Sequence, residues 1–176
     1  MTDEPALRPV LEKFARDITS SGGAREAVSV EVMRIDGFRN EAVTPRGLKV
    51  CLDEPVNFGG KGEAPDPAEH LLAAVGASVS VTLTAHAALR DVPIDRVHVV
   101  LRAEIDGREF FRPGSGGMPG LLDIVMELTV RSSAPRAMVR ALLRDVLRAA
   151  PVLRSLKRLP KVTIQFDDAA ASLASR

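Results

Sequence analysis

The chain has 176 residues, one cysteine, no tryptophan or tyrosine, and 24 basic against 23 acidic side chains, for a formal net charge of +1. That length suits one domain with an appendage, and 45% hydrophobic residues is enough for a real core, which excludes a disordered chain. A single cysteine excludes an internal disulfide framework and any multi-cysteine zinc or iron–sulfur site, and it favours a reducing, cytoplasmic setting.

The opening Met1-Thr2-Asp3-Glu4-Pro5 has no basic region with an apolar stretch behind it, so it does not read as a signal peptide. Residues 1–24 read as a helical appendage. Leu7, Val10, Leu11, Phe14 and Ile18 recur at helical spacing, Pro9 belongs in the first turn, and Ser20-Ser21-Gly22-Gly23 stops the pattern. From Val28 the period becomes two: Val28, Val30 and Val32 predict one half-buried strand, and Leu48, Val50 and Leu52 another. A short strand over Arg39 to Val43 is expected between them, with turns at Asp36-Gly37 and Pro45-Arg46-Gly47. Cys51 and Asp53 share the polar parity of Lys49, which reads Cys51 as a bystander thiol. The loop Asn57 to Pro65 contains Gly-Gly-Lys-Gly, but a phosphate loop needs a hydroxyl residue after the lysine and Gly62 stands there.

Pro67 to Leu89 is the most informative element. Asp66 is placed to cap, Pro67 suits the first helical position, and Glu69 sits where a capping-box carboxylate reaches back. The body is apolar nearly all round, which predicts a central helix with neighbours on most sides. Its stretch Leu71 to Leu83 is interrupted by Gly76, Ser78, Ser80 and Thr82 and is too short to span a bilayer, so no membrane span is expected. Ser78, Thr82 and His86 share one face. For the hydroxyls the plain expectation is a bond back to a carbonyl one turn earlier, and for His86 a satisfied, partly buried ring.

Val97, Val99, Leu101, Ala103 and Ile105 predict a further strand, and Leu122, Ile124, Met126, Leu128 and Val130 its partner across a Gly/Pro-rich hairpin loop. Ser133-Ala134-Pro135 opens a second helix with Met138, Leu142 and Val146 on its apolar side and an Arg136, Arg140, Arg144, Arg148 ladder on the other. Pro151 breaks it, and Val162 to Phe166 predicts a last strand before a tail over 167–176. Between Arg131 and Lys161 nine basic residues meet one acidic residue, Asp145, leaving fifteen basic and twenty-two acidic residues elsewhere. Without aromatic interleaving that segment reads as a solvated arginine face and not as a nucleic-acid surface. The element order predicts an α+β fold with mainly antiparallel pairing. One small sheet cannot surround an all-apolar helix, so a homodimer with a shared core is expected.

No conventional site emerges. His70, His86 and His98 lack metal-ligand spacing, and Ser78 is not in G-x-S-x-G. Neither a metal nor a cofactor is expected.

The ordered set Asp53-Glu54-Pro55, Gly59-Gly60, Pro65-Asp66-Pro67-Ala68-Glu69-His70-Leu71-Leu72-Ala73-Ala74, the small-residue run to Ser78, and Ala150-Pro151-Val152 resembles the OsmC/Ohr family of peroxide-detoxifying proteins. The resemblance covers about residues 28 to 166 and makes 25–166 an OsmC-like domain. It implies an intertwined homodimer, with sheets wrapped around central helices and a thiol peroxidase site at the interface. Family enzymes carry one cysteine eleven residues after the helix-opening proline and another immediately before the Pro-Val that corresponds to Pro151-Val152. These positions are Ser78 and Ala150 here. The acid that supports the reactive cysteine in the hydroperoxide branch follows the opening proline, where this chain has Ala68; Glu69 matches the glutamate of the wider family. The supporting arginine comes from the N-terminal strands, with Arg34, Arg39 and Arg46 as candidates.

Since a serine hydroxyl cannot enter the thiolate, sulfenic acid and disulfide sequence, the implied function is a scaffold without peroxidase activity. It would bind a small apolar or peroxide-like ligand in an interfacial pocket that includes Glu69, Ser78, Thr82 and Ala150. The alternatives are a hydroperoxide reductase using Cys51 or a partner thiol, a different reaction built on Ser78, Thr82 and His86, and an interaction protein docking an acidic partner on the arginine ladder.

Overall fold

The computed structural model describes residues 7–20, 25–158 and 160–165. Helix α1, Leu7–Ser20, packs along α2, Pro67–Leu89, with Leu11 and Ile18 half-buried. Pro9 lies in its first turn, where the missing N–H costs nothing. Arg8 fastens α1 in place by pairing with Glu12 at 2.8 Å and with Asp91 just beyond the end of α2. The glycines expected to stop this helix fall in 21–24, outside the described residues.

Strands β1 (Glu31–Asp36), β2 (Arg39–Val43) and β3 (Lys49–Leu52) form an antiparallel meander with Met33 opposite Glu41 and Glu41 opposite Cys51. Val28 and Val30 precede β1, and every residue of β1 is exposed, where a half-buried strand was expected. Alternation identifies a strand but not what covers it. β1 is an edge strand, and this sheet packs little against the rest of the single chain. On β3 the parity holds, with Val50 and Leu52 half-buried and Lys49 and Cys51 exposed. Asp53 departs from it: only 2% of its surface is exposed, because the strand ends at Leu52 and the chain turns inward.

The bounds of α2 are those its sequence predicts. Asp66 Oδ1 accepts from Glu69 N at 2.8 Å, and Glu69 Oε2 accepts from Asp66 N at 3.1 Å, so both halves of the capping box form. Val75, Val79, Leu83 and Ala87, four apart, make its buried stripe. Gly76 beside that stripe lets the helix settle on the following strand, β4 (Arg96–Ile105), for a Cβ there would lie 2.9 Å from Leu101 Cδ1. The other side of α2 is uncovered, with Leu71 40% and Val81 68% exposed, so neighbours surround it on one face only. With 23 residues α2 exceeds the stretch 71–83 and is long and apolar enough to cross a bilayer by length and composition only, a test that buried core helices also pass. Here it packs against α1, β4 and two later helices.

β4 (Arg96–Ile105) and β5 (Leu121–Arg131) form a second, two-stranded antiparallel sheet. Val97 faces Val130, Val99 faces Leu128 and Leu101 faces Met126. A bulge at Asp123, which takes φ 46°, inserts one residue, so Leu121 and not Leu122 falls opposite Ile105. The parity expected from Leu122 to Val130 therefore breaks there. The connection contains one helical turn, α3 (Arg108–Phe111).

α4 (Arg136–Ala149) buries Leu142 and Val146, while Met138 is 48% exposed. Arg136, Arg140, Arg144 and Arg148 are exposed, as their spacing predicts. Pro151 ends α4 but also opens α5 (Pro151–Lys157), an element the sequence reading did not contain. Val79, Leu83, Ala87, Val92, Leu142, Val146 and Ala150 close into one core. The predicted last strand is absent from residues 160–165, which are exposed and unpaired with any strand; Phe166 and the tail lie outside the described residues. Alternation without an adjacent strand edge makes no ladder.

Candidate functional site

Ser78 and Ala150, seventy-two positions apart, are brought together. Ala150 is fully buried and is the residue from which α5 starts, yet its methyl group cannot cap a helix. Pro151 has no N–H, so the first free amide of α5 is that of Val152. It donates to Ser78 Oγ at 3.3 Å. Ser78 thus supplies from α2 the oxygen that a Ser, Asp or Asn at position 150 would have supplied locally. Thr82 Oγ1 donates to the Ser78 carbonyl at 2.7 Å, the backbone bond expected of it. His86 was expected to be satisfied, but its Nδ1 is buried without a hydrogen-bond partner among the described residues. Thr82, one turn earlier, gives its proton to Ser78 instead, so Ser78, Thr82 and His86 form no hydrogen-bonded relay.

Glu69 is distant from this pair. It lies nine residues before Ser78 on one helix, about 13 Å of rise, and is committed to the capping box. Among the candidate arginines, Arg39 Nη1 pairs with Glu63 at 3.3 Å. Arg34 sits on exposed β1 opposite Asn40, and Arg46 lies exposed in the turn before β3. No hydrogen bond or ion pair joins any of the three to Glu69, Ser78 or Thr82 among the described residues. Cys51 is a free, exposed thiol on β3.

The Asp53-Glu54-Pro55 and Gly59-Gly60 motifs are explained by a buried carboxylate. Asp53 Oδ1 accepts from Glu54 N at 2.9 Å, and Oδ2 accepts from Lys61 N at 3.0 Å and Glu63 N at 3.3 Å. Burial pushes this carboxyl up, but the amides of Glu63, Glu54, Lys61 and Gly62 outweigh it and hold it below its usual value. Gly60 passes so close to Glu54 that a Cβ would lie 1.9 Å from the Glu54 carbonyl oxygen. Lys61 Nζ pairs with Asp36 at 2.6 Å, tying the loop to β1. This folded loop delivers Asp66 and Pro67 to the start of α2.

Beside that helix start opens a cleft of about 580 Å³, lined by Phe58, Ala68, Ile105, Phe110, Phe111 and Pro119 among others. The Phe58 ring lies 5.6 Å from Phe110 and 5.5 Å from Phe111, centre to centre, and 5.7 Å from Phe38. These are four of the chain's six phenylalanines. Four carboxylate residues, Glu54, Asp66, Asp106 and Glu109, also line the cleft, with no lysine, arginine or histidine among the described residues. Arg108 and the amides of Arg108 and Met118 hold the Asp106 carboxyl well below the usual range. Glu109 is lowered by the amide of Gly114, with further amides from Gly116 and Gly117. Glu54 moves the other way, raised by burial and by its neighbours Asp66 and Asp53. The sequence reading missed this cleft. Its one available signal was Phe110-Phe111, an apolar pair out of place in a Gly/Pro-rich connection. Ala68 and Ser78 are ten residues apart, about 15 Å along α2, so the cleft and the Ser78–Val152 hydrogen bond are separate places in one chain.

A family profile described as OsmC-like protein matches residues 60–165, more than half of the chain and inclusive of Ser78 and Ala150. No curated protein sequence matches. Among solved structures, the fold is similar to that of an OsmC-like protein from Mycoplasma pneumoniae, with 14% identity, TM-score 0.64, and 76% of this chain and 89% of that one covered. It is similar also to the organic hydroperoxide resistance protein OsmC of Legionella pneumophila, with 16% identity, TM-score 0.56, and coverages of 77% and 92%. A third such structure is an organic hydroperoxide resistance protein from Elizabethkingia anophelis, with 13% identity, TM-score 0.58, and coverages of 77% and 91%. At these identities the likeness is one of fold.

Proposed function

The chain belongs to the OsmC-like protein family, and from that premise we propose that it is a homodimer which keeps the family scaffold and a ligand cleft but has no thiol peroxidase chemistry. The observation that carries this reading is that neither Ser78, which accepts from the Val152 amide, nor Ala150 offers sulfur. In a thiol peroxidase, the peroxide's terminal oxygen passes to a thiolate, the O–O bond breaks, an alcohol leaves and a sulfenic acid remains; a second thiol then condenses with it to a disulfide, releasing water. Ser78 offers a hydroxyl with no corresponding oxidised state, and that hydroxyl is engaged with Val152. Ala150 offers no resolving group. Cys51, exposed on the polar parity of β3, has no neighbouring thiol, since it is the chain's one cysteine. The uncovered apolar face of α2 and the exposed residues of β1 support a partner that completes the core. The aromatic cleft supports a small, mostly apolar ligand.

The test is peroxide consumption by the purified protein with dithiol reductants. No turnover of organic hydroperoxide or hydrogen peroxide is expected, and about one turnover per second or more overturns the reading. If turnover does occur, its loss on alkylation of Cys51 assigns it to that thiol.

A further inference from the structure

We propose that the cleft at the start of α2 binds a hydrophobic organic cation, an ammonium or guanidinium group on an aromatic or alkyl body, with Glu54 as its counter-ion. This rests on the reading of the chain as a binding protein and specifies the chemistry of what it binds.

The charge of the lining is one-sided, and the four carboxylates differ in what they already hold. Asp106 is occupied by Arg108 at 2.5 Å. Glu109 is wrapped by the amides of Gly114, Gly116 and Gly117. Asp66 caps α2. Glu54 alone accepts no side-chain hydrogen bond and meets no cation among the described residues, and its charged neighbours are two further carboxylates. A half-buried carboxylate with only like charges around it is held above its usual proton affinity, and an entering cation would reverse that.

The apolar part of the site is equally specific. Phe110 and Phe111 are 67% and 66% exposed and stand with Phe58 around the same cleft. Ring faces are negative and attract a cation within about 6 Å of the centroid. Rings plus an unpaired carboxylate therefore suit a molecule with an apolar body and a positive end. A neutral apolar ligand would cover Glu54 without compensating its charge, and an anion would be repelled. The volume, about 580 Å³, is that of a small-molecule site.

Titration calorimetry of the full chain with 4-phenylbutylammonium, 4-phenylbutanol and 4-phenylbutyrate separates these cases. The ammonium is expected to bind about tenfold or more tighter than the alcohol, and the carboxylate weakest. Glu54→Gln should bring the ammonium to the affinity of the alcohol and leave the alcohol within about twofold. Phe110→Ala should weaken both. Raising salt should weaken the ammonium and not the alcohol in the unaltered protein, a check that needs no variant. Equal binding of alcohol and ammonium, both sensitive to Phe110→Ala, overturns cation recognition and leaves the ligand-binding reading standing. Binding of none of the three probes overturns both, while peroxide turnover overturns only the loss of peroxidase chemistry.

Discussion

Two glycines set the residue scale. Gly60 meets backbone, because a Cβ would lie 1.9 Å from the Glu54 carbonyl oxygen. Gly76 meets only the tip of the Leu101 side chain, at 2.9 Å, which can turn aside. Gly60→Ala is expected to cost about 3 kcal/mol in urea denaturation, whereas Gly76→Ala, which gains helix propensity, should stay within about 1 kcal/mol of the parent. Asp53 makes a pH prediction. Its folded-state affinity for protons is depressed, so its contribution to stability is complete above the unfolded value near 3.8 and is lost as pH falls from there through the folded value. Asp53→Asn should lower the melting temperature at pH 7 and flatten its fall below about pH 4. Glu54, one residue on, is raised, so it weakens the fold as pH rises through its titration. Glu54→Gln is expected to raise the melting temperature at pH 7 and have little effect at pH 3. Ser78 and Ala150 came from the family resemblance, as positions counted from Pro67 and Pro151, and that count draws on no distant contact. The burial of Asp53 and the meeting of Phe58 with Phe110 and Phe111 were not legible, since each depends on segments far apart in the chain.

Among the elements, the same division between local and distant causes holds. The bounds of α2 were readable because Asp66, Pro67 and Glu69 carry their own start signal. α5 was missed because a proline after a helix reads as a stop, although a proline at the first helical position is equally a start. The exposure of β1 depends on what lies across its faces, and the bulge at Asp123 depends on a single residue adopting positive φ. The α2 to α5 contact gives an element-scale prediction. Ser78→Ala removes the acceptor for the Val152 amide and should cost about 1 kcal/mol, as loss of a cap does, in equilibrium unfolding followed by circular dichroism.

For the whole molecule, the antiparallel α+β architecture was legible from element order, while more than one sheet followed only from the family resemblance. The β4 to β5 sheet and the helices α1, α4 and α5 use one side of α2, while Val81 on the other side stays 68% exposed. If a second copy covers that side, Val81→Asp should shift the protein from dimer to monomer in light scattering at micromolar concentration. An unchanged mass would remove α2 from the interface. The arginine ladder of α4 remains solvent-exposed, and Arg90 at the end of α2 pairs with Asp145, the one acid in its midst, at 2.7 Å. That side of the molecule therefore carries dense positive charge without an apolar face to accompany it, which suits solvation more than a permanent interface.

The hydrogen bond from Val152 to Ser78 also bears on reversibility. Sulfur accepts hydrogen bonds weakly, and a larger side chain at fully enclosed Ala150 would crowd a packed core. Placing cysteine at both positions would thus begin with a loss of folding free energy before any redox benefit could appear. Oxygen at position 78 is part of how two helices are joined, so sulfur placed there starts from a less stable fold.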